Sequence, residues 1–424
     1  MKKGIARLLG DVEVTRDLIL LLTIGGLYSL GIFLSNTFVN IYLWKQSGEY
    51  LAIAIYNLSI YIAQPLTFIL AGRWAKKVDR VVVLRLGVIF LSIFFITVLI
   101  VGEQAATYKV LLGALLGVGY GFYWLAFNVL TFEITEPDTR DFFNGFLGLL
   151  QSFGGMIGPV LAGYIISSMA ANTGYTVIFT ISFSLFALAV LSSFFLQRRS
   201  AKGNFSFRRI IHERKRNPNW NRILCAHIFQ GLREGTFLFV IAIWVFIATK
   251  SEFALGKFNL VYSAVSFLSY FIATRFIKPR YRKRSIFIGG LMLYVAIYLI
   301  LFNVSYPILL LYAGIIGVAY PIIYVPYLSL TYDVIGKAWH AAEMRIEYIV
   351  VRELFLNLGR IISIGFFMLG VTWFNPETSI PFILAIVGIG HFVIYFFIRN
   401  VKFPIQSDEE KIFVKSKLAD NDNR

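Results

Sequence analysis

Long apolar stretches alternate with short polar segments along the whole chain. Each stretch is close to the length that an α-helix needs to cross the hydrocarbon core of a bilayer. The pattern predicts twelve spans and an all-α integral membrane protein. Spans 1 to 6 are expected at roughly 18–43, 50–74, 82–101, 107–132, 142–168 and 174–196, and spans 7 to 12 at roughly 221–248, 254–276, 285–303, 307–332, 346–373 and 379–398.

The chain resembles itself at an offset of about 200 residues. The segment GVGYGFYWLAFNVLTFEI begins at Gly117, and GVAYPIIYVPYLSLTYDV begins at Gly317. A second similarity relates the sequence after Asn57 to that after Asn259. Such a duplication in apolar sequence predicts two pseudo-symmetric six-helix halves with a site between them, as in transporters. We expect an N-terminal half at 1–196, a basic cytoplasmic linker at 197–222, a C-terminal half at 223–403 and a disordered cytoplasmic tail at 404–424.

Composition and charge placement support the membrane class. Hydrophobic residues make up 58% of the chain, well above the roughly 45–50% of a soluble domain. The net charge of +17 could suggest a nucleic-acid partner, but 33 of the 40 Lys and Arg residues fall on one side of the predicted spans. Four fall on the other side and three inside spans. This bias predicts that both termini are cytoplasmic, and it explains the basic excess without nucleic acid.

Cysteine usage and the loops limit the remaining possibilities. The single cysteine, Cys225, excludes a disulfide within the chain and a cysteine metal cluster. Residues 1–17 are polar and span 1 is long, so a cleavable signal is not expected. Short outside loops and the lack of an organellar presequence favour a bacterial inner membrane or a plasma membrane. We expect a monomer without a cofactor or metal.

The loop after span 2 carries a family resemblance. It reads Gly72-Arg73-Trp74-Ala75-Lys76-Lys77-Val78-Asp79-Arg80. Together with twelve spans in two halves, it resembles the major facilitator superfamily, whose loop motif is G-x-x-A-D-R-x-G-R-K. The resemblance covers about residues 15 to 400 and implies a transporter that works by alternating access.

This loop departs from the family motif at the position that should be acidic. Lys76 stands there, and Asp79 replaces the second glycine. In the family, the acid steadies the closed cytoplasmic gate. Asp79, or Glu133 at the end of span 4, could substitute by pairing with Arg73 or Arg80. A plain charge cluster at the membrane edge would give a similar pattern.

Span 5 resembles the antiporter motif of the family, G-x8-G-x3-G-P-x2-G-G. Glycines at these spacings clear one side of a helix for close packing, and a proline permits a bend. The resemblance implies proton-driven export, although a packing seam alone would also explain it. Two features weaken the antiporter interpretation: Gly113 stands where family exporters usually carry an arginine, and span 1 has no acid between Leu18 and Trp44. The matching residues are Gly145, Gly154, Gly158, Pro159 and Gly163.

Span 7 carries ionisable residues about halfway across the membrane. A charge there is costly, so such residues are functional candidates. Arg233 and Glu234 are neighbours and diverge by roughly 100° around a helix, so they should not face each other. Glu234 is the candidate for proton coupling, because a low-dielectric cavity favours the protonated carboxyl. A permanent ion pair with an arginine is the alternative. Gln230 lies one turn before Glu234 and is a candidate solute ligand.

Span 11 carries a polar stripe formed by Arg345, Arg352, Glu353 and Arg360. Arg360 is deepest, and it could pair with Glu234 or receive an anionic group of the solute. Arg352 and Glu353 are further candidates for solute binding.

Spans 4 and 10 share an aromatic stripe at helical spacing. Tyr120 and Trp124 correspond to Tyr320 and Tyr324, and Tyr327 follows one turn later. Aromatic faces suit an amphipathic or cationic solute, although helix packing produces the same pattern. Lesser candidates are Asn36, Asn40 and Asn128, each of which could instead form an interhelical hydrogen bond.

The leading hypothesis is a secondary active transporter, coupled to protons, that exports amphipathic or drug-like compounds. The missing arginine in span 4 favours a different branch, an importer or uniporter of an anionic metabolite. A transporter-like sensor or assembly factor and a membrane-embedded enzyme are hypotheses from other classes. The enzyme is disfavoured because the four histidines are scattered and no nucleophile or metal spacing accompanies them. They are His212, His227, His340 and His391.

Overall fold

The structure is a computed structural model. It describes residues 15–134, 137–169, 172–197, 204–277, 279–301 and 304–402, and not every side chain within these ranges. The predicted cytoplasmic tail at 404–424 lies outside the described residues. In the described part of the chain, all regular secondary structure is helical.

All twelve predicted spans are present as helices long and apolar enough to cross a membrane. Span 12 consists of two consecutive helices that meet at Ile389. A short linker helix, Phe207–Glu213, lies between spans 6 and 7. The spans are Arg16–Ser47, Tyr50–Lys77, Arg80–Val101, Lys109–Ile134, Pro137–Ser168, Thr173–Ser193, Pro218–Thr249, Glu252–Phe276, Arg282–Leu301, Tyr306–Gly336, Arg345–Trp373, and Pro376–Gly388 with Gly390–Ile398.

Helix ends extend beyond the apolar stretches because capping residues lie outside them. Span 1 begins after Thr15, whose side chain accepts a hydrogen bond from the backbone N–H of Leu18. It ends at Gly48, which has the left-handed backbone (φ 64°) that favours glycine. Span 7 begins earlier than predicted, because Asn217 caps it and Pro218 occupies its first turn.

The helices form two six-span groups that meet along two lines. In the N-terminal group span 2 packs on span 4 and span 1 on spans 5 and 6, and in the C-terminal group span 7 packs on spans 11 and 12. Between the groups, span 2 packs on span 11 and span 5 packs on span 8. We call the end of the bundle that carries the linker helix the linker end, and the opposite end the far end.

The outer surface of the bundle is apolar. Large side chains such as Ile100, Phe382 and Trp373 are more than two-thirds exposed to the surroundings of the chain. Side chains of this kind are stable outward only against lipid tails. The fold therefore fits a bilayer, with polar chemistry confined to the interior and the two ends.

Candidate solute site between the two halves

Spans 7 and 11 cross in backbone contact near the middle of the membrane. A methyl group added to Gly359 would clash with the carbonyl oxygen of Ile228, and one added to Gly231 would clash with that of Leu356. Gly235 packs in the same way on Arg360. Small residues at such a crossing let two helices approach closely. The crossing therefore brings polar side chains of the two spans together at one level.

Glu234 and Arg360 form a buried ion pair beside this crossing. Arg360 Nη2 lies 2.6 Å from Glu234 Oε2, and Nε lies 3.3 Å from the same oxygen. Glu234 Oε1 accepts a hydrogen bond of 2.8 Å from Gln230 Nε2 and one of 3.5 Å from the Tyr320 hydroxyl. The side chains of Glu234 and Arg360 are only 10% and 15% exposed. The alternative of an ion pair for Glu234 is thus the observed arrangement.

The ion pair lies at the boundary between the two halves. The guanidinium carbon of Arg360 is 5.0 Å from the ring centre of Tyr61, which belongs to span 2 in the opposite half. Tyr120 of span 4 is also close enough to interact electrostatically with Arg360. A guanidinium attracts the face of an aromatic ring, more strongly where water is excluded. Arg360 therefore touches both halves.

Hydrogen bonds continue from Arg360 along span 11 toward the linker end. Arg360 Nη1 donates to Asn357 Oδ1 at 3.3 Å, and Asn357 Nδ2 donates to Glu353 Oε2 at the same distance. Glu353 in turn pairs with Arg352 at 3.1 Å. The predicted polar stripe is therefore a connected set of side chains, in which Asn357 joins the two ion pairs.

Arg233 takes a different direction from Glu234, as predicted. Its Nη2 donates to the Tyr312 hydroxyl at 3.3 Å, and its guanidinium lies 4.6 Å from the Phe237 ring. Unlike Arg352 and Arg360, it has no carboxylate within ion-pair distance among the described residues.

The aromatic stripes of spans 4 and 10 have different surroundings. Trp124 packs edge-to-face on Tyr28 with ring centres 5.3 Å apart. Tyr320 and Tyr324 stack at the same separation, and both are half-buried. Tyr327 is buried, and its hydroxyl forms a hydrogen bond of 2.7 Å with Nδ1 of His227. The structure thus places Tyr327 in packing within its own half.

The asparagine candidates divide in a similar way. Asn57 Nδ2 donates to Asn40 Oδ1 at 2.8 Å, which joins spans 1 and 2. This is the interhelical alternative stated for Asn40 above. Asn36 and Asn128 are half-buried, and their role in solute binding stays a prediction.

A buried ion pair joins the two halves at the linker end. Lys76 Nζ lies 2.5 Å from Glu347 Oε1 and also donates to the carbonyl oxygen of Glu343 at 3.1 Å. The linker adds a hydrogen bond of 3.2 Å from the Ser206 N–H to the same Glu347 oxygen. Glu347 is fully buried. Lys76 therefore contacts the opposite half at the position where the family motif carries an acid.

The predicted gate residues have other surroundings. Asp79 caps span 3, because its carboxylate accepts a hydrogen bond of 2.6 Å from the Val81 N–H. Arg73 is exposed and forms no ion pair with a described residue. Arg80 is half-buried. The side chain of Glu133 lies outside the described part, so its pairing stays a prediction. Gly72 is in contact with Phe205 of the linker and Val350 of span 11.

A second ion pair joins the halves at the far end. Lys45 Nζ of span 1 lies 3.0 Å from Glu252 Oε1 of span 8, and the Tyr175 hydroxyl of span 6 donates to the same oxygen at 2.9 Å. Lys45 is 37% exposed, against 8% for Lys76. The far-end contact is therefore more accessible to water.

The span 5 motif packs against helices of both halves. Gly154 and Gly158 lie against Phe33 of span 1. A methyl group on Gly163 would lie 2.5 Å from the Glu252 carbonyl oxygen, and one on Gly256 of span 8 would lie 2.5 Å from that of Pro159. Gly145 lies outside the described side chains.

The position of the missing arginine is explained by similar packing. A methyl group on Gly113 would clash with the Tyr56 carbonyl oxygen of span 2. An arginine at this position would need spans 2 and 4 to separate.

Sequence reasoning missed several residues of the site. Tyr61 and His391 are single residues in apolar sequence with no pattern to mark them, and Lys76 was read only as a departure from the loop motif. Glu347 is not among the candidates named from the sequence, although it is fully buried. For Lys76 and Glu347, the available signal was that two opposite charges lie at the same predicted membrane edge, one at the end of span 2 and one at the start of span 11.

The comparisons with known proteins agree with this architecture. The family model of the Major Facilitator Superfamily matches residues 19–344. The chain is 61% identical over 405 residues to the uncharacterized protein YqgE of Bacillus subtilis (strain 168), covering 96% of this chain and 94% of that protein. It is 60% identical over 197 residues to an uncharacterized protein in the sodM 3′ region of Geobacillus stearothermophilus, covering 46% of this chain and 92% of that one.

Two solved structures share the fold. A crystal structure of the human organic anion transporter MFSD10 (TETRAN) superposes with a TM-score of 0.67 and 15% identity, covering 90% of this chain and 99% of that one. A POT family transporter in complex with 5-aminolevulinic acid gives a TM-score of 0.70 and 12% identity, covering 92% and 97%. Identities this low show the fold alone. With the family match and the twelve spans, they establish that the chain belongs to the major facilitator superfamily and is a multi-pass membrane transporter.

Proposed function

We propose that the chain is a proton-coupled secondary transporter that moves an amphipathic solute across the cell membrane by alternating access. The observation that carries this proposal is the buried ion pair of Glu234 and Arg360. It joins two helices of one half, and Arg360 also faces Tyr61 of the other half. A proton on Glu234 would thus change a contact at the boundary between the halves.

The coupling follows from electrostatics in a medium of low dielectric constant. While both groups are ionised, each offsets the desolvation of the other. Protonation of Glu234 leaves Arg360 as a buried cation without its counter-ion, and Arg360 then gains from the Tyr61 ring or from the solute. The two protonation states therefore favour different arrangements of the halves, which is the condition for coupling an ion to a solute.

The two end contacts supply the gates of this cycle. Lys76 and Glu347 hold the halves together at the linker end, and Lys45 and Glu252 do so at the far end. Both pairs are formed in this structure. Access to the site from either end requires the pair at that end to separate while the other persists, as alternating access demands.

Topology and assembly complete the proposal. The 33 Lys and Arg residues that fall on one side of the predicted spans support a cytoplasmic position for the linker end, by the positive-inside bias. The membrane is a bacterial inner or plasma membrane, and the unit of transport is a monomer without cofactor or catalytic residues.

Two directions of transport have support from particular observations. Export is favoured by the span 5 glycines, which resemble those of proton-driven exporters and pack on both halves. Uptake of an anion is favoured by Arg233, which has no carboxylate partner among the described residues.

The test is proton-driven flux in proteoliposomes with Glu234→Gln. We expect wild-type protein to accumulate at least one compound from a set of anionic, neutral and cationic aromatic dyes, in response to a pH gradient. Glu234→Gln should lose this response, because its side chain cannot exchange a proton. The matched control is Glu377→Gln, which removes an exposed carboxyl at the far end and should behave like wild type. Undiminished accumulation by Glu234→Gln would remove Glu234 from the mechanism.

A further inference from the structure

A second polar cluster lies inside the C-terminal half, next to the ion pair. Arg233 is 94% buried, since its exposed fraction is 6%. Among the described residues its side chain donates to the neutral hydroxyl of Tyr312, and its Nε has no hydrogen-bond partner there. A buried guanidinium is normally held by a carboxylate, because its five donors and its charge must both be met. Arg233 therefore has binding capacity that its own chain does not use.

Two more buried polar atoms without partners adjoin Arg233. Gln230 uses its Nε2 on Glu234, and its Oε1 has no hydrogen-bond partner. Nδ1 of His391 in span 12 also has none. Span 12 reaches span 7 here, since a methyl group on Gly390 would lie 3.2 Å from the backbone nitrogen of Arg233. Native interiors leave few buried polar groups unpaired, so three around one cation point to a ligand.

Five charged side chains lie in the inner parts of spans 7 and 11, and they do not balance: Arg233, Glu234, Arg352, Glu353 and Arg360. Arg352 pairs with Glu353 and Arg360 pairs with Glu234. The other buried carboxylate of span 11, Glu347, pairs with Lys76 of the opposite half, which leaves Arg233 as the one excess positive charge of the five. His227 and His391 of this region are both buried, which disfavours a further charge on either ring. One excess positive charge matches a monoanion better than a phosphate ester, which carries nearly two negative charges.

The surroundings of Arg233 define the rest of the ligand. The Phe237 ring lies 4.6 Å from its guanidinium and the Tyr312 hydroxyl accepts its hydrogen bond, and both rings offer flat apolar faces. A guanidinium binds a planar carboxylate with two parallel hydrogen bonds, in which the free Nε can take part. An apolar body beside a single carboxylate would satisfy both features.

We propose that Arg233 binds the carboxylate of the transported solute, and that the solute class is aromatic or other amphipathic monocarboxylates. This rests on the proposed function only in taking the cluster as part of the solute site. An Nδ1–H of His391 can donate to the same carboxylate, Gln230 Oε1 can accept only from a donor elsewhere on the solute, and Phe237 and Tyr312 pack on the apolar body.

The position of Glu234 sets the sign of coupling to protons. The groups that face Glu234 are Arg360 of span 11, His391 of span 12, Tyr320 of span 10, Tyr262 of span 8, Tyr61 of span 2, and His227 of its own span. Arg233 is its neighbour in sequence, and its guanidinium lies toward Tyr312 and Phe237. Tyr262 and His391 each interact electrostatically with both Arg233 and Glu234. A solute carboxylate beside ionised Glu234 is therefore repelled, and protonation removes the repulsion.

By linkage, the solute anion and the proton promote the binding of each other. Solute and proton then move in the same direction. An inward proton gradient would drive uptake of the acid, and the direction is opposite to the export suggested by span 5.

The experiment is equilibrium binding to purified full-length protein in detergent, by calorimetry and thermal shift. The probes are matched pairs that differ only in charge: 2-naphthoate with 2-naphthamide, and 4-phenylbutyrate with its amide. We expect wild-type protein to bind at least one acid tenfold or more tighter than its amide, in line with the strength of charge-assisted hydrogen bonds. Arg233→Gln should lose this preference and keep the affinity for the amide.

Two controls keep the test decisive. Arg208→Gln removes an exposed arginine of the linker helix and should bind like wild type. Arg233→Lys keeps the charge but loses the planar fork, so its preference for the acid over the amide should be reduced. This variant carries the test if Arg233→Gln does not fold. No preference for the acids in wild-type protein, or a preference that survives in Arg233→Gln, would overturn the proposal.

The sign of coupling has its own arm. Glu234→Gln should bind the acid at least as tightly as wild type and should lose the weakening of binding with rising pH. Loss of acid binding in Glu234→Gln would overturn the co-transport of proton and anion. These measurements need no flux, so they are independent of the test of proton coupling. If Glu234→Gln keeps proton-driven flux, Arg233 can still select acids. If Arg233 does not select acids, Glu234 can still couple flux to protons.

Discussion

The two halves share a helical frame and differ in what they bury at its centre. In the N-terminal half, the described charged residues that are buried lie near the helix ends, and the central contacts are neutral, such as the Asn40–Asn57 hydrogen bond and the stacked rings of Tyr28 and Tyr123, 3.9 Å apart. In the C-terminal half, the inner parts of spans 7 and 11 carry Arg233, Glu234, Arg352, Glu353 and Arg360. Burying a charge in the membrane costs free energy, so such charges are expected mainly at sites that take part in function. We infer that the N-terminal half forms a wall and that the C-terminal half performs the coupling.

The largest expected effect comes from breaking the midplane ion pair. Arg360→Met should lower the free energy of unfolding in detergent by about 3–5 kcal/mol, because it leaves Glu234 without its counter-ion. The measurement is chemical or thermal unfolding of the purified protein. Adding Glu234→Gln to Arg360→Met should recover most of the stability without restoring proton-coupled flux. A small effect of the single change would mean that Glu234 is solvated, and the contrast between the halves would weaken.

A smaller effect is expected at the linker end, where the halves meet. Lys76→Met should lower the free energy of unfolding by about 2 kcal/mol, because it leaves Glu347 without its counter-ion. The loss is smaller than at the midplane, because Glu347 keeps its hydrogen bond from the Ser206 N–H and lies near the end of the bundle. The exchanged pair Lys76→Glu with Glu347→Lys should restore part of the loss. Lys45→Met at the far end is the comparison, and it should cost less because Lys45 is 37% exposed. Equal costs at both ends would argue against a stronger gate at the linker end.

The smallest effect is expected in the N-terminal half. Asn57→Leu removes a neutral interhelical hydrogen bond and should cost about 1 kcal/mol or less. Proton-driven flux and the preference for acids should remain. A loss of either with a folded protein would show that the neutral half takes part in coupling, and it would remove the division of roles proposed above.

Much of this arrangement could be predicted from sequence. The twelve spans follow from apolar length, and the asymmetry of charge follows from aligning the two halves. The pairing of Glu234 with Arg360 was one of two alternatives, and the divergence of Arg233 from Glu234 followed from helical geometry. These are properties of single helices and of their order along the chain.

The remaining contacts depend on how helices cross. Lys76 and Glu347 are 271 residues apart, and nothing local indicates that Ser206 of the linker joins them. Asn40 could have faced the solute or a helix, because a single polar residue in an apolar span fits both. His391 comes close to Arg233 only because Gly390 lets span 12 touch span 7. Such proximity arises from backbone packing, which the sequence of one span does not contain.

The glycine crossing of spans 7 and 11 also limits how the ion pair can open. With Gly231 and Gly359 in backbone contact, these two helices have no layer of side chains to slide on, so the C-terminal half should move as one rigid body. Separation of Glu234 from Arg360 must then occur by rotation of side chains. Rotation is much faster than helix movement, so the chemical event would equilibrate before the halves rock. The slow step of the transport cycle would then be the separation of the ion pairs at the two ends. The midplane charges would decide only which arrangement of the two halves is favoured.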